Sequence, residues 1–146
     1  MRSDAQKAYA IVDMTSTNDL LLRAKRGAML MNGRSVAVIQ DELTVSSPTT
    51  VEWSVWTRAD VVMNKSGRTA KLTQNGKTLL CKLGGVGSPA RFETVSYPDS
   101  GMTRIVVRLE VKERLRMFVA CKLLNAGEST SQKLYENLPL SRWCGE

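Results

Sequence analysis

Apolar residues in this chain return at every second position, and that period restricts the fold more than any other feature. It runs through Arg34-Ser-Val36-Ala-Val38-Ile-Gln40-Asp-Glu42-Leu-Thr-Val45 and Val51-Glu-Trp53-Ser-Val55-Trp-Thr57, both rich in β-branched and aromatic residues. An extended backbone sends successive side chains to opposite faces, so each run offers one face to a core and one to solvent. Arg104-Ile-Val-Val-Arg-Leu-Glu-Val111 repeats the pattern, and Leu115, Met117, Val119, Cys121 and Leu123 share one face of a further strand. No long window of helical period competes. A short helical turn is expected only within Ser129–Asn137, where Pro139 would stop it.

Turn chemistry agrees with this reading. Asn32-Gly33 and Asn75-Gly76 each separate two alternating runs, and Asn-Gly is the preferred pair for a tight hairpin that needs positive φ. Further turns are expected at Lys65-Ser66-Gly67 and near Lys112-Glu113, while Gly84-Gly-Val-Gly-Ser-Pro89 reads as a connection. The spacing gives about nine or ten short strands. The expected fold is therefore all-β, an antiparallel two-layer β-sandwich built of meandering hairpins, with residues 1–146 forming one domain.

No run of eighteen apolar residues exists, so no transmembrane helix is expected. Met1-Arg-Ser-Asp-Ala-Gln-Lys7 lacks the apolar core and cleavage site of a secretory leader. The chain enters the apolar segment Tyr9-Ala-Ile-Val-Asp13 almost at once, as a piece of a longer protein would. Cys81, Cys121 and Cys144 are odd in number and widely spaced, with no Cys-x-x-Cys pair. No disulfide framework or metal site is expected from them. Cys81 and Cys121 fall in step with apolar residues, as small buried hydrophobes would, and Cys144 reads as an exposed free thiol.

Histidine is absent, which removes the commonest general base at neutral pH, the usual partner of a nucleophile and the commonest zinc ligand. Asp41 and Glu42 are adjacent on a strand and point to opposite faces, the wrong arrangement for two carboxylates acting on one atom. Gly76-Lys77-Thr78 resembles the end of a phosphate loop, but the required upstream glycine falls on Lys71. Gly84-Gly85-Val86-Gly87 lacks the spacing and following helix of a dinucleotide fingerprint. Asn64-Lys65-Ser66 has the form of a glycosylation acceptor and marks a surface turn. No cofactor is implied, and the isolated chain is not expected to be an active enzyme.

What remains is charge. Lys and Arg number 21 against 14 Asp and Glu, a formal net charge of +7, which favours encounter with polyanions. Solvation of the outer sheet faces explains the excess equally well. Arg23, Lys25, Arg26 and Arg34 surround the first hairpin, and Arg23 and Lys25 alternate onto one face. Such residues suit sulfates or uronate carboxylates, with Arg as a bidentate donor; the alternative is an edge protected by charge against sheet-to-sheet aggregation. Trp53 is in step with Val51 and Val55 and belongs to a core. Trp56 has the opposite parity and is the surface aromatic, for stacking on a sugar or packing against an adjoining domain. A nucleic-acid partner is disfavoured, because aromatic residues make up only 5% and no stacking pair stands out at strand spacing.

Taken in order, Tyr9-Ala-Ile-Val-Asp13, Lys25-Arg26-Gly27, Val36-Ala-Val-Ile-Gln-Asp41-Glu42, Val51-Glu52-Trp53 and Ala70-Lys-Leu-Thr-Gln-Asn-Gly-Lys-Thr-Leu79 resemble the C-terminal β-sheet region of the heparinase II/III family. Pro139-Leu-Ser-Arg-Trp143 is similar to the tail of Bacteroides-type members. The resemblance implies a polysaccharide lyase in which an α/α toroid precedes a large β-sandwich, and in which uronate-containing glycosaminoglycans or alginate-like chains are cleaved by β-elimination. The catalytic Tyr, His and Asn of such enzymes come mainly from the toroid and the earlier part of the sandwich. With no His here, the catalytic and zinc-binding histidines transfer to no position, and Tyr9, Tyr97 and Tyr135 match no catalytic motif. The implied role is a non-catalytic domain that supports the toroid and lends a wall, lined by Arg23, Lys25, Arg26, Arg34 and Trp56, to a cleft for acidic polysaccharide. A periplasmic or extracellular location follows from the same resemblance. The alternative is a stand-alone carbohydrate-binding module for acidic glycans.

Overall fold

The computed structural model describes residues 1–144. Eleven strands follow in order: β1 (Arg2–Ser3), β2 (Ala8–Asp13), β3 (Leu21–Met31), β4 (Val36–Val45), β5 (Thr49–Thr57), β6 (Asp60–Met63), β7 (Thr69–Gln74), β8 (Lys77–Gly84), β9 (Glu93–Tyr97), β10 (Met102–Val111) and β11 (Arg114–Leu124). The helical content of the described residues is two single turns of 3₁₀ helix, Thr15–Thr17 and Leu140–Arg142. The two Asn-Gly turns are where the alternation placed them. Asn32 and Gly33 close β3–β4 with φ of 53° and 64°, and Asn75 and Gly76 close β7–β8 with φ of 52° and 72°. Asn75-Gly76 is a two-residue turn of the kind that needs such left-handed angles, whereas β3–β4 closes through four residues, Asn32–Ser35, in which Arg34 is left-handed too, with φ of 69°.

Every strand pairing is antiparallel. The strands form an eight-stranded sheet in the order β1-β2-β3-β4-β11-β8-β7-β6 and a three-stranded sheet in the order β5-β10-β9. Local meanders build the two ends of the large sheet, as their turns dictate. Its middle is not a meander. The chain leaves the large sheet after β4 and β8 and returns before β6 and β11, so the last strand inserts between β4 and β8. No local signal announces that insertion, because it joins strands far apart in sequence.

Alternation then sorts the side chains of the large sheet. On the face toward the small sheet, Leu83, Phe92, Ile105, Val107, Leu109, Met117 and Val119 form a core with Val45, Ala70 and Cys81. Trp53 packs against it. On the opposite face Met29, Val36, Val38, Leu80, Phe118 and Ala120 pack under the C-terminal segment through Leu134, Tyr135, Leu140 and Trp143. That segment, residues 125–143, acts as a strap and makes the large sheet apolar on both sides. This explains why β11 reads Met117-Phe-Val-Ala-Cys121 almost without a break.

Two expectations are corrected. Ser129–Asn137 forms no helical turn, because the strap's backbone is satisfied by the sheet instead: Gln40 Nε2 donates to Leu138 O at 2.7 Å, and Lys82 Nζ donates to Gln132 O. Cys81 and Cys121 are not free thiols. They sit directly opposite each other on β8 and β11, with Cα atoms 4.2 Å apart, and form a disulfide within the core. Each cysteine faces inward as its parity required, but the pairing depended on strand order. Cys144 is a free, exposed thiol.

The small sheet covers only part of the large one. Register across the large sheet lines up Ala8, Leu30, Ala37, Cys121, Cys81, Ala70 and Met63 in one inward row, and Ala10, Ala28, Ile39 and Val119 in the next. At the β2–β4 end these rows lie open, with Leu30 39% exposed and Ala28 and Ala37 facing solvent, and so does the adjoining row, where Val12 is 58% exposed beside Arg26. A cleft of about 170 Å³, lined wholly by apolar side chains including Ala37, Ile39, Trp53 and Val55, opens between the sheets toward this bare half.

Candidate functional site

The four basic residues of the first hairpin do not form one patch. Arg26 shares the inward face with Asp41, whose carboxylate it holds bidentately, with Nε and Nη2 each 2.7 Å from an oxygen. Asp41 is buried, so this guanidinium stabilises a charge that would otherwise be stranded. Asp41 in turn raises the Arg26 pKa above its ordinary value. Arg34 sits at the hairpin tip, where Nη2 donates to Ser3 Oγ and Asp4 O, both at 3.1 Å. Arg23 lies eight residues back from the end of β3, about 26 Å from the turn at strand rise. Arg23 and Lys25 share the outward face, where Arg23 is opposite Thr44 and Lys25 lies between Asp13 and Glu42.

Arg23 gains partners that reading along the chain missed. The insertion of β11 beside β4 brings Arg114 opposite Thr44 and Arg116 opposite Glu42. Arg23, Arg114 and Arg116 together line a surface groove of about 330 Å³ with Glu42, Thr44 and Leu43. A bulge at Leu21–Arg23 helps to turn Arg23 onto this face. Within the groove, Arg116 Nε donates to Glu42 Oε1 at 3.1 Å, and the same oxygen accepts from Leu140 N at 2.7 Å and Gln40 Nε2 at 3.2 Å. Glu42 is thus committed to holding the strap. Arg23 makes no ion pair among the described residues, and Arg114 reaches only Glu113, at 3.6 Å. Asp13 lies beside the cluster. Its pKa is held below the usual carboxylate value by hydrogen bonds from Thr15, and further by Lys25 and Arg23. The groove therefore presents guanidinium donors to solvent, suited to sulfate or carboxylate oxygens.

Trp56 lies on the outer face of the small sheet, away from this groove. It is 49% exposed and tilted at 45° against Tyr97, with ring centroids 4.8 Å apart. Arg104 lies over its ring at 5.9 Å. Of the other tyrosines, Tyr135 is buried under the strap, where its hydroxyl donates to Gln40 Oε1 and accepts from Trp143 Nε1, both at 2.9 Å. Burial raises its pKa. Tyr9 packs edge-on against Trp143. Both side chains are engaged in holding the strap. Among the described residues no group of three His, Cys, Asp or Glu side chains converges as metal ligands would. No helix among them is long and apolar enough to cross a membrane.

The sequence matches no protein-family model and no curated protein. Solved structures are similar in fold. A heparinase III superposes with a TM-score of 0.64 at 12% identity, over 83% of this chain and 20% of that one. Heparan sulfate lyase HepC from Pedobacter heparinus superposes with a TM-score of 0.66 at 11% identity, over 88% of this chain and 21% of the lyase. The chain spans about one fifth of the length of these lyases and shares the β-sandwich fold of that region.

Proposed function

We propose that this chain is the non-catalytic β-sandwich domain of a heparinase-like polysaccharide lyase, supporting the catalytic domain and contacting acidic polysaccharide. The observation that carries the reading is the half-covered large sheet. A self-contained sandwich buries the inward face of both its sheets, whereas here Val12, Ala28, Leu30 and Ala37 remain in solvent beside an apolar cleft. The solved lyases of like fold continue for four fifths of their length beyond the matched region, and an α/α toroid is the partner that would cover this face. Contact with acidic polysaccharide rests on the groove of Arg23, Arg114 and Arg116. The Cys81–Cys121 disulfide supports a periplasmic or extracellular location, since such bonds persist in oxidising compartments.

A second reading, a stand-alone binding module for acidic glycans, draws on the strap that seals the outward face. The test is isothermal titration with heparin, chondroitin sulfate and alginate at about 0.05 and 0.5 M salt, where the screening length shortens from about 14 Å to about 4 Å. Binding that weakens at least about tenfold at the higher salt, and is lost in the Arg23→Ala/Arg114→Ala variant, is expected. No heat with any of the three polymers would sink the polysaccharide contact and leave a supporting role alone. Monodisperse behaviour with no concentration-dependent self-association would favour the stand-alone module.

A further inference from the structure

The outer face of the small sheet carries features that the basic groove does not use. Trp56 from β5 and Tyr97 from β9 meet above β10, and half of the Trp56 surface stays in solvent. Beside them, Arg104 pairs with Glu52, Glu52 accepts from Arg108 Nε at 3.2 Å, and Arg108 Nη1 donates to Glu93 at 2.9 Å. The network rests on Val106, which is fully buried although it points outward. Four alternating charges thus lie along the sheet next to an aromatic pair, each already partnered.

The balance of charge separates this face from the rest of the molecule. Arg104 and Arg108 of β10, with Arg58, whose Nε lies 3.3 Å from Met102 Sδ, stand against Glu52, Glu93 and Glu110, so the face is formally neutral in a chain of net charge +7. Arg104 and Arg108 are already held by Glu52 and Glu93, so a carboxylate or sulfate would have to compete with carboxylates in place. An uncharged ligand meets no such penalty. It would find the half-exposed indole of Trp56 beside Tyr97 for apolar contact and, along the strand from Trp56 to Glu52 over about 13 Å, fixed donors and acceptors for hydroxyl groups. A pyranose presents that combination, with C–H bonds on one face and hydroxyls at its rim. The aromatic pair is preorganised by Arg104, whose position over the Trp56 ring is maintained by Glu52.

We propose that Trp56 and Tyr97, flanked by the Arg104–Glu52–Arg108–Glu93 network, form a binding site for an uncharged hexopyranose unit on the small sheet, separate from the basic groove. This site does not rest on the lyase reading, and its signature differs. Binding should be almost independent of salt, because no net charge is neutralised on association.

The test uses the whole chain, titrated with cellohexaose and N-acetylchitohexaose at low and about 0.5 M salt and followed by the indole N–H resonances of the three tryptophans. Expected is binding of at least one hexasaccharide with an affinity that changes less than about twofold with salt, a shift of the Trp56 resonance, and a loss of about tenfold or more in Trp56→Ala. Tyr97→Ala should weaken it, and Arg23→Ala/Arg114→Ala should leave it unchanged. Wild-type binding by Trp56→Ala, no binding of either sugar, or binding abolished by salt and by the two groove substitutions would each overturn the site. The last of these would assign the sugar to the groove, whereas loss of heparin binding alone would leave this site standing.

Discussion

Gly27 lies in β3 directly beneath the strap, and replacing it with alanine tests whether that segment is an integral layer. A Cβ at this position would come 2.4 Å from Leu140 Cδ2 and 2.5 and 2.8 Å from two ring carbons of Trp143. Ordinary contacts start near 3.4 Å, so the neighbours must retreat by up to about 1 Å. Neither can do so cheaply, because both are almost fully buried and the Trp143 indole is tethered to the Tyr135 hydroxyl at 2.9 Å. Overpacking of this kind costs about 1–3 kcal/mol. A gain of about 0.4–1 kcal/mol from the smaller freedom of the unfolded chain opposes it and does not cancel it. Trp143→Ala should cost about 3–5 kcal/mol through the cavity it leaves. In the double variant the two Trp143 contacts are gone and the space left by the indole lets Leu140 retreat, so the Gly27→Ala penalty should shrink by about 1 kcal/mol or more. Urea unfolding followed by circular dichroism gives all four values at a shared m. Additivity within about 0.5 kcal/mol, or no destabilisation by Gly27→Ala, would refute the close packing of strap on sheet.

Three further outcomes follow from the same geometry. Replacing Cys81 and Cys121 together with alanine opens a loop of sequence separation 40 and should lower the unfolding free energy by about 2–4 kcal/mol under oxidising conditions, while leaving the stability of the reduced protein nearly unchanged; equal stability of the two oxidised proteins would contradict the bond. Tyr135→Phe strands Gln40 Oε1 and Trp143 Nε1, so thermal unfolding should report a loss of about 1–3 kcal/mol, and an unchanged midpoint would mean that the buried network has another acceptor. Glu128 has its pKa lowered from 4.5 to about 2 by the Lys122 ammonium, then by the Asn125 N–H and Gln132. Because the folded value lies below the unfolded one, its stabilisation is complete above about pH 4.5 and is lost as the pH falls through about 2. Acid titration of Glu128→Gln against the parent should therefore show a shallower decline over that window, and parallel curves would dismiss the tether.

The sequence by itself determined what each strand's neighbourhood could decide locally. Alternation assigned the inward parity of Trp53, Cys81 and Cys121 and the outward parity of Trp56, since a strand's period of two needs no knowledge of its partner. Asn32-Gly33 and Asn75-Gly76 specified two hairpins because their left-handed angles are a property of two residues. The absence of histidine came from composition alone. Tertiary structure decided everything that depends on which strands become neighbours. The insertion of β11 between β4 and β8 made the Cys81–Cys121 bond and assembled Arg23 with Arg114 and Arg116, while the register of the β3–β4 hairpin set Arg26 opposite Asp41. It also created the layer that residues 125–143 cover, drawing that segment away from a helical turn by satisfying its carbonyls from Gln40 and Lys82. Contacts between residues tens of positions apart are set by burial and register over the whole sheet, and no window of sequence contains both partners.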